Sequence, residues 1–170
     1  MTRGLLNNPD RFIETYWSKY KDVWYHGDIV LVDSDGLWYM RGRTDDIIKV
    51  SGHRIGTAEI EAAAASHQAV AEAVAVGRPD KLKGEVIVVC VIVKEDYTVD
   101  INTLKFEIIK QVEDIIGRFA RPEEVKIVAE LPKTRTGKLV RRLIRAKITG
   151  ENIASQDLST VENPWSLDDI

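Results

Sequence analysis

The sequence predicts a small α+β domain, preceded by a helix and a β-hairpin that read as the edge of a different body. Two observations carry this. From residue 45 onward the apolar residues switch between strand-like runs and helical spacing in the order strand, helix, strand, strand, helix, strand, helix, which is the mixed order of an α+β domain. Before residue 45, one short helix pattern and one hairpin pattern have little apolar sequence of their own to pack against, and a helix of ~3 turns is marginal in water. The expected organisation is an edge segment over 1–44, a domain over 45–150 and an extended tail over 151–170.

Asn8-Pro9-Asp10-Arg11-Phe12 opens the first helix, with Asn8 as cap and Pro9 in the first turn. Phe12, Ile13, Tyr16 and Trp17 fall on adjacent faces, and the helix is expected to end near Tyr20. Trp24–Val32 and Leu37–Met40 are β-rich runs around Asp33-Ser34-Asp35-Gly36, a hairpin signal. The polar stretch Arg41–Asp46 marks the boundary. Ile47–Val50 reads as a short strand, Ser51–Arg54 as a turn, and Thr57–Ser66 as a helix with a cap, early glutamates and an alanine run. Val70–Val76 and Val86–Val93 are strands flanking a Gly77–Gly84 turn region. Leu104, Ile108, Ile109, Val112, Ile115 and Ile116 repeat at helical spacing up to Gly117. Glu124–Val128 is a strand, Leu131–Gly137 a loop, and Lys138–Ile148 a basic helix; beyond it periodicity fades, hence the extended tail.

Composition narrows the function classes. With 44% hydrophobic and 30% charged residues, the chain reads as globular. No apolar run approaches the ~20 residues that span a bilayer, so no membrane partner is expected, and Met1–Asn7 lacks the apolar stretch of a signal peptide. The single cysteine, Cys90, lies within the Val86–Val93 run and reads as a small core hydrophobe. These points favour a cytoplasmic protein. The net charge of -3 argues against general nucleic-acid affinity. The basic run Lys133, Arg135, Lys138, Arg141, Arg142, Arg145, Lys147 contains no acid and no interleaved aromatic. It is either a solvated helix face or a site for a polyanion.

Three segments could carry chemistry. Pro132-Lys133-Thr134-Arg135-Thr136-Gly137-Lys138-Leu139 contains a Gly-Lys pair, but Pro132 and Leu139 stand where a phosphate-binding P-loop needs Gly and Ser or Thr. What remains is a proline-stiffened loop that presents one lysine beside a glycine. Arg41, Arg43 and Arg54 around Gly42 and Gly52 suit bidentate phosphate contacts; a surface turn in which Arg43 and Asp45 neutralise each other is the plainer alternative. Asp28 after Gly27 puts a carboxylate at a strand start, where it could accept both ribose hydroxyls or simply cap a turn.

Taken together, Tyr25-His26-Gly27-Asp28, Gly42-Arg43-Thr44-Asp45-Asp46 through Gly52-His53-Arg54 to Glu59-Ile60-Glu61, and Pro132–Lys138 resemble, in order and spacing, the last three signature motifs of the adenylate-forming enzymes. Gly52-His53-Arg54-Ile55-Gly56-Thr57-Ala58-Glu59-Ile60-Glu61 is most similar to the acetyl- and propionyl-CoA synthetase branch, and the likeness runs from Arg11-Phe12 to the tail Leu158-Ser159-Thr160. The chain thus resembles the C-terminal part of an AMP-forming acetyl-CoA synthetase. The resemblance implies a mobile lid domain, a short mixed sheet flanked by helices, that follows the end of a larger adenylation domain lying outside this sequence. It further implies acetate, Mg·ATP (hence Mg2+) and CoA as small-molecule partners. Lys138 is then the adenylation lysine and a target of a regulatory acetyltransferase and deacetylase. Asp28, Arg43 and Arg54 are implied as ATP or AMP contacts, Ser51 and Gly52 as CoA contacts, Asp45 as the hinge, and Ala65, His67 and Val70 as metal ligands through two carbonyls and one side chain. Without the resemblance His67 reads as a helix-end residue. Two departures stand out: His26 replaces the usual Thr or Ser, and Glu113 replaces a CoA-contacting Arg, for which Arg118 or Arg121 could substitute. The resemblance implies that the 170 residues alone do not turn over acetate and ATP. The alternatives are a propionyl-CoA or other short-chain acyl-CoA synthetase, a free-standing module that binds CoA, a nucleotide or another subunit, and a nucleic-acid binder, which the net charge and the lack of interleaved aromatics disfavour.

Overall fold

The computed structural model describes residues 3–98, 100–153 and 156–170; Met1 and Thr2 of the N-terminal stretch, Val99, and Ala154 and Ser155 of the tail lie outside the described residues. The elements are α1 (Pro9–Tyr16), β1 (Asp28–Val32), β2 (Trp38–Arg43), β3 (Ile47–Val50), β4 (His53–Gly56), α2 (Thr57–Ala65), β5 (Val70–Asp80), β6 (Gly84–Val93), α3 (Ile101–Ile116), β7 (Glu124–Ile127) and α4 (Arg141–Thr149). Contacts divide the chain into two units, Met1–Asp45 and Asp46–Ile170.

In the first unit, Asn8 caps α1 by accepting the Arg11 amide at 3.3 Å, and the helix carries no buried residue. Its aromatic side meets Trp24, which stacks on Tyr16 with ring centroids 4.5 Å apart and meets Trp17 edge-on. Strands β1 and β2 pair antiparallel. Their turn is a three-residue loop: Gly36 adopts a left-handed φ of +79°, its amide donates to the Asp33 carbonyl, and the Asp33 amide donates to Leu37. Asp33 Oδ1 accepts the Asp35 and Leu37 amides. Leu31, Val32, Leu37, Trp38, Tyr39 and Met40 are all exposed.

The second unit is the small mixed α+β domain. Strand β6 is its spine: β5 runs antiparallel to it from Val70 to Asp80, while its other edge takes β3 at Gly84 and β7 in parallel over Val88–Val91. Alternation along the strands makes two cores. Ala75, Ile87, Val89 and Val91 face α2 and α3; Val74, Val76, Val88 and Cys90 face α4 and the C-terminal segment.

Four local expectations are corrected. His53 and Arg54 begin a strand, β4, that pairs with β3; Ser51 and Gly52 alone form the turn, with φ of +48° and +88°, the pattern of a two-residue type I′ hairpin. Strand β5 continues through Gly77 to Asp80, because pairing with β6 sustains it where glycine and proline suggested a turn. Thr57 is the buried first residue of α2 rather than its cap, which is Gly56. The C-terminal residues are not an extended tail. Val161, Leu167 and Ile170 are buried in the second core, with a short 3-10 turn at Pro164–Leu167. The nine-residue α4 is too short to cover a ten-residue strand face alone, so isolated apolar residues without periodicity complete the cover.

Candidate functional site

The residues singled out by sequence fall into three clusters, with the expected metal positions lying apart from them. In the first unit, Gly27 has a left-handed φ of +90° and is buried, and a Cβ there would lie 3.2 Å from Arg43 Nη2. This lets Arg43 pass close to the backbone and reach two carboxylates. Its Nε and Nη2 grip Asp45 at 2.9 and 3.2 Å, and its Nη1 lies 3.6 Å from Asp28. Asp28 is half-buried and also paired with His26. Nearby, Tyr25 donates or accepts against Thr44, and the Lys19 ammonium, followed by the Thr44 hydroxyl, holds the Tyr25 phenol below its ordinary value. The structure therefore joins Asp28, Arg43 and Asp45 in one group, two carboxylates around a single guanidinium. Asp45 is the last residue of its unit.

The second cluster surrounds the β3–β4 turn. Ser51, Lys83, Arg118, Phe119, Arg121 and Glu123 help line a pocket of about 380 Å³. The Ser51 amide donates to the Lys83 carbonyl at 2.8 Å, and His53 stacks on Phe119 with centroids 4.6 Å apart. Glu113 holds Arg121 in a close pair and lies 3.6 Å from Arg118 Nε. Arg118 projects furthest into solvent, 95% of its side chain exposed. Arg54, also exposed, stands opposite Lys49 in the β3–β4 register, so two cations share one patch of sheet.

The third cluster is the Lys138 hairpin. Lys133 bridges to Leu139; the Gly137 amide donates to the Thr134 carbonyl and the Thr134 amide to the Lys138 carbonyl, both at 2.8 Å. Gly137 has φ +76°. This is the same three-residue loop as Asp33–Leu37, with Thr134 Oγ1 accepting the Lys138 amide at 3.1 Å as Asp33 does at its own turn. Lys138 is exposed and lines a pocket of about 350 Å³ with Thr134, Arg135, Thr136, Ser159 and Thr160. That lining offers two cations and four hydroxyls and no carboxylate, chemistry suited to an oxyanion. Lys138 precedes α4 rather than starting it.

The three positions expected to hold a metal lie where α2 passes to β5. His67 is buried; its Nδ1 accepts the Ala69 amide at 3.2 Å, and its Nε2 faces Glu107 at 3.3 Å. With one nitrogen accepting and the other turned to a carboxylate, the ring as placed does not fit a metal ligand alongside the Ala65 and Val70 carbonyls. It ties the end of α2 to α3.

Sequence reasoning missed Arg141. It donates to Asp46 at 2.5 Å and Glu61 at 2.7 Å, and Glu61 in turn accepts the Ala75 amide. Three residues beyond Lys138, it ties α4 to α2 and to the first residue of the second unit. The only sequence signal was its place in a basic run. Among the described residues no helix is long and apolar enough to cross a membrane.

Residues 59–138 match the family model described as the AMP-binding enzyme C-terminal domain. The chain is 44% identical over 174 residues to an acetyl-coenzyme A synthetase of Methanothrix thermoacetophila, covering 100% of this chain and 26% of that protein. It is likewise 44% identical over 170 residues to an acetyl-coenzyme A synthetase of Rubrobacter xylanophilus, covering 100% of this chain and 26% of that one. Among solved structures, the amide bond synthetase McbA from Marinactinospora thermotolerans superposes with a TM-score of 0.71 at 27% identity, over 85% of this chain and 28% of that chain. The chain spans about a quarter of the length of the relatives it matches.

Proposed function

Because this chain belongs to the AMP-binding enzyme C-terminal domain family of the adenylate-forming enzymes, we propose that it is the lid of an AMP-forming acetyl-CoA synthetase, which joins acetate and ATP into acetyl-adenylate and passes the acetyl group to CoA. The observation that carries this is Lys138: an exposed ammonium on a tightly bonded hairpin, beside hydroxyls and a guanidinium and away from any carboxylate in its pocket.

When a carboxylate attacks the α-phosphoryl group of ATP, negative charges converge as pyrophosphate leaves. One ammonium at ~4 Å, with an effective dielectric of ~20, contributes roughly 4 kcal/mol, or about three decades in rate. Placing it in advance avoids reorganisation during the reaction. ATP enters as its Mg2+ complex, the ion neutralising polyphosphate charge. Asp28 accepts the ribose hydroxyls, and Arg43 and Arg54 meet phosphate oxygens. Asp45, at the junction of the two units, is the hinge about which the lid turns between half-reactions. Ser51 and Gly52 contact CoA, and the pocket beside them supports a phosphate contact from Arg118, which Glu113 pairs less closely than it pairs Arg121. No metal step is assigned to Ala65, His67 and Val70.

The exposed apolar residues of β1 and β2 support the reading of the first unit as the edge of a larger adenylation domain, since a lone two-stranded hairpin is marginally stable. By this reading the 170 residues alone do not turn over acetate, and the working enzyme is cytoplasmic. Acetylation of Lys138 by a lysine acetyltransferase, reversed by a deacetylase, silences it by removing the charge.

Acetate-dependent ATP–pyrophosphate exchange tests the proposal, measured on the chain alone and joined to an adenylation domain. The expected outcome is exchange only in the joined form, lowered by about 10³ in Lys138→Ala, with thioester formation from supplied acetyl-adenylate preserved. Equal loss in both half-reactions overturns the lid mechanism. Tight CoA binding by the isolated chain, without exchange in the joined form, would favour a stand-alone binding module.

A further inference from the structure

We propose that the C-terminal segment is a strap that sets the position of the Lys138 hairpin, and that Asn163 is its positioning residue; this rests on the reading of Lys138 as the adenylation lysine. The strap grips Lys133, the first residue of the hairpin, by both backbone groups. Asn163 Oδ1 accepts the Lys133 amide at 2.9 Å, and the Glu162 amide donates to the Lys133 carbonyl at 2.8 Å. Thr134 and Val161 form an antiparallel bridge. On its other edge Lys133 pairs with Leu139, and the Val140 amide donates to the Pro132 carbonyl at 2.9 Å. The incoming arm of the hairpin is therefore the middle of a three-stranded ribbon, and the strap is its outer strand.

The strap is itself anchored. Asn163 Nδ2 donates to the Leu131 carbonyl at 3.0 Å and to Glu130 at 2.9 Å. The Asn163 carbonyl accepts from Ser166 Oγ at 2.7 Å, and Ser166 is buried. Val161 and Leu167, on either side of Asn163, are buried in the second core. Arg142 on α4 holds the start of the strap through Gln156 and the Asp157 carbonyl. The hairpin tip has little else. Arg135, Thr136, Gly137 and Lys138 are exposed, and nothing lies within 4 Å of a Cβ built on Gly137. Apart from the strap, the hairpin is tied to the domain at its base, by Leu131 and Val140 in the second core and by the Lys133–Glu72 pair at 2.6 Å. A lysine that must meet a reacting phosphoryl group within a fraction of an ångström needs a supported loop, and here that support comes from the strap. Ser159 and Thr160, upstream on the same strap, close the wall of the pocket that Lys138 lines.

The test uses Asn163→Ala and Asn163→Asp in the 170-residue chain, read by residue-resolved amide exchange, and in the chain joined to an adenylation domain, read by half-reaction kinetics. In the Ala variant the Lys133, Gly137 and Lys138 amides are expected to exchange at least about tenfold faster, while β5 and β6 amides keep their protection. Adenylation kcat is expected to fall about tenfold with the KM for ATP unchanged, and thioester formation from supplied acetyl-adenylate to stay intact. Asp keeps the acceptor for the Lys133 amide but would set a carboxylate against Glu130, which Asn163 Nδ2 meets at 2.9 Å. Asn163→Asp is therefore made together with Glu130→Gln, and that pair is expected to recover protection there and most of the adenylation rate. Hairpin amides as protected in the Ala variant as in the parent overturn the strap; so does an equal fall in both half-reactions, and so does an unchanged adenylation rate where Lys138→Ala abolishes it. If Lys138→Ala itself leaves adenylation intact, the parent reading of Lys138 is what fails, and the exchange rates still decide whether the strap orders the hairpin.

Discussion

Gly77 is where the sheet meets its charge network: a Cβ there would lie 2.7 Å from Glu85 Oε1 and 3.1 Å from Ile48 Cγ2. Glu85 cannot retreat freely, because it accepts the Lys49 amide at 2.8 Å and pairs with Arg145 at 3.0 Å. Gly77→Ala is therefore expected to destabilise the domain by about 1–3 kcal/mol, seen as a lower urea midpoint with an unchanged slope. An unchanged midpoint would mean that Glu85 swings aside at no cost. Cys90 behaves as its sequence context suggested. Burial pushes its thiol up to about 12, so the folded chain should not react with a thiol reagent at pH 8, where only the thiolate is nucleophilic. Residues such as Cys90 were legible because a strand-length apolar run announces burial. Arg141 was not, because its partners Asp46 and Glu61 lie 95 and 80 residues away and nothing local marks them.

Helix α3 shows what an element can disclose by itself. Its apolar spacing and Gly117 stop fixed the helix in sequence, and its start became clear only when Asp100 was seen accepting the Thr103 amide at 2.8 Å. The Thr103 amide, then the Thr103 hydroxyl, hold the Asp100 carboxyl below its ordinary value of 3.8. A carboxylate depressed by folding contributes stability that is complete above its unfolded pKa and is lost as pH falls through the lower folded value. Asp100→Ala should accordingly lower the melting temperature at pH 7 and make little difference near pH 2, with the gap closing below about pH 4. A gap independent of pH would show that the cap acts through something other than its charge. The Gly36 hairpin was legible as a turn between two β-rich runs, whereas the segment ending at Gly137 read only as a loop; in both, the glycine takes a left-handed position a side chain disfavours. Strand β4 was not: its residues His53 and Arg54 are exposed and polar, and only pairing with β3 makes them a strand. The same pairing logic carried β5 through a glycine and a proline.

At the scale of the whole chain, one sheet face is closed by α2 and α3, and the other by α4 together with the strap. Removing residues 158–170 takes Val161, Leu167 and Ile170 out of the second core. At about 1.5–3 kcal/mol for each fully buried side chain, the loss amounts to several kcal/mol, a large share of a small domain's stability. The truncated chain should melt earlier, bind a hydrophobic dye, and expose Cys90 to the thiol reagent that the intact chain resists; a Cys90 still protected would show that α4 covers that face unaided. The sequence by itself determined the α+β class, the Asp33–Gly36 hairpin turn, the place of Lys138 in a stiffened loop and the motif order shared with the adenylate-forming enzymes. All of these are short-range matters of periodicity, turn chemistry and spacing. Only the tertiary structure decided that Glu113 faces Arg118 and Arg121, that His67 is spent on Ala69 and Glu107, and that a segment with no periodicity straps the lysine hairpin. Those outcomes depend on which side chains meet across a packed sheet, and residues that meet there carry no common pattern along the chain.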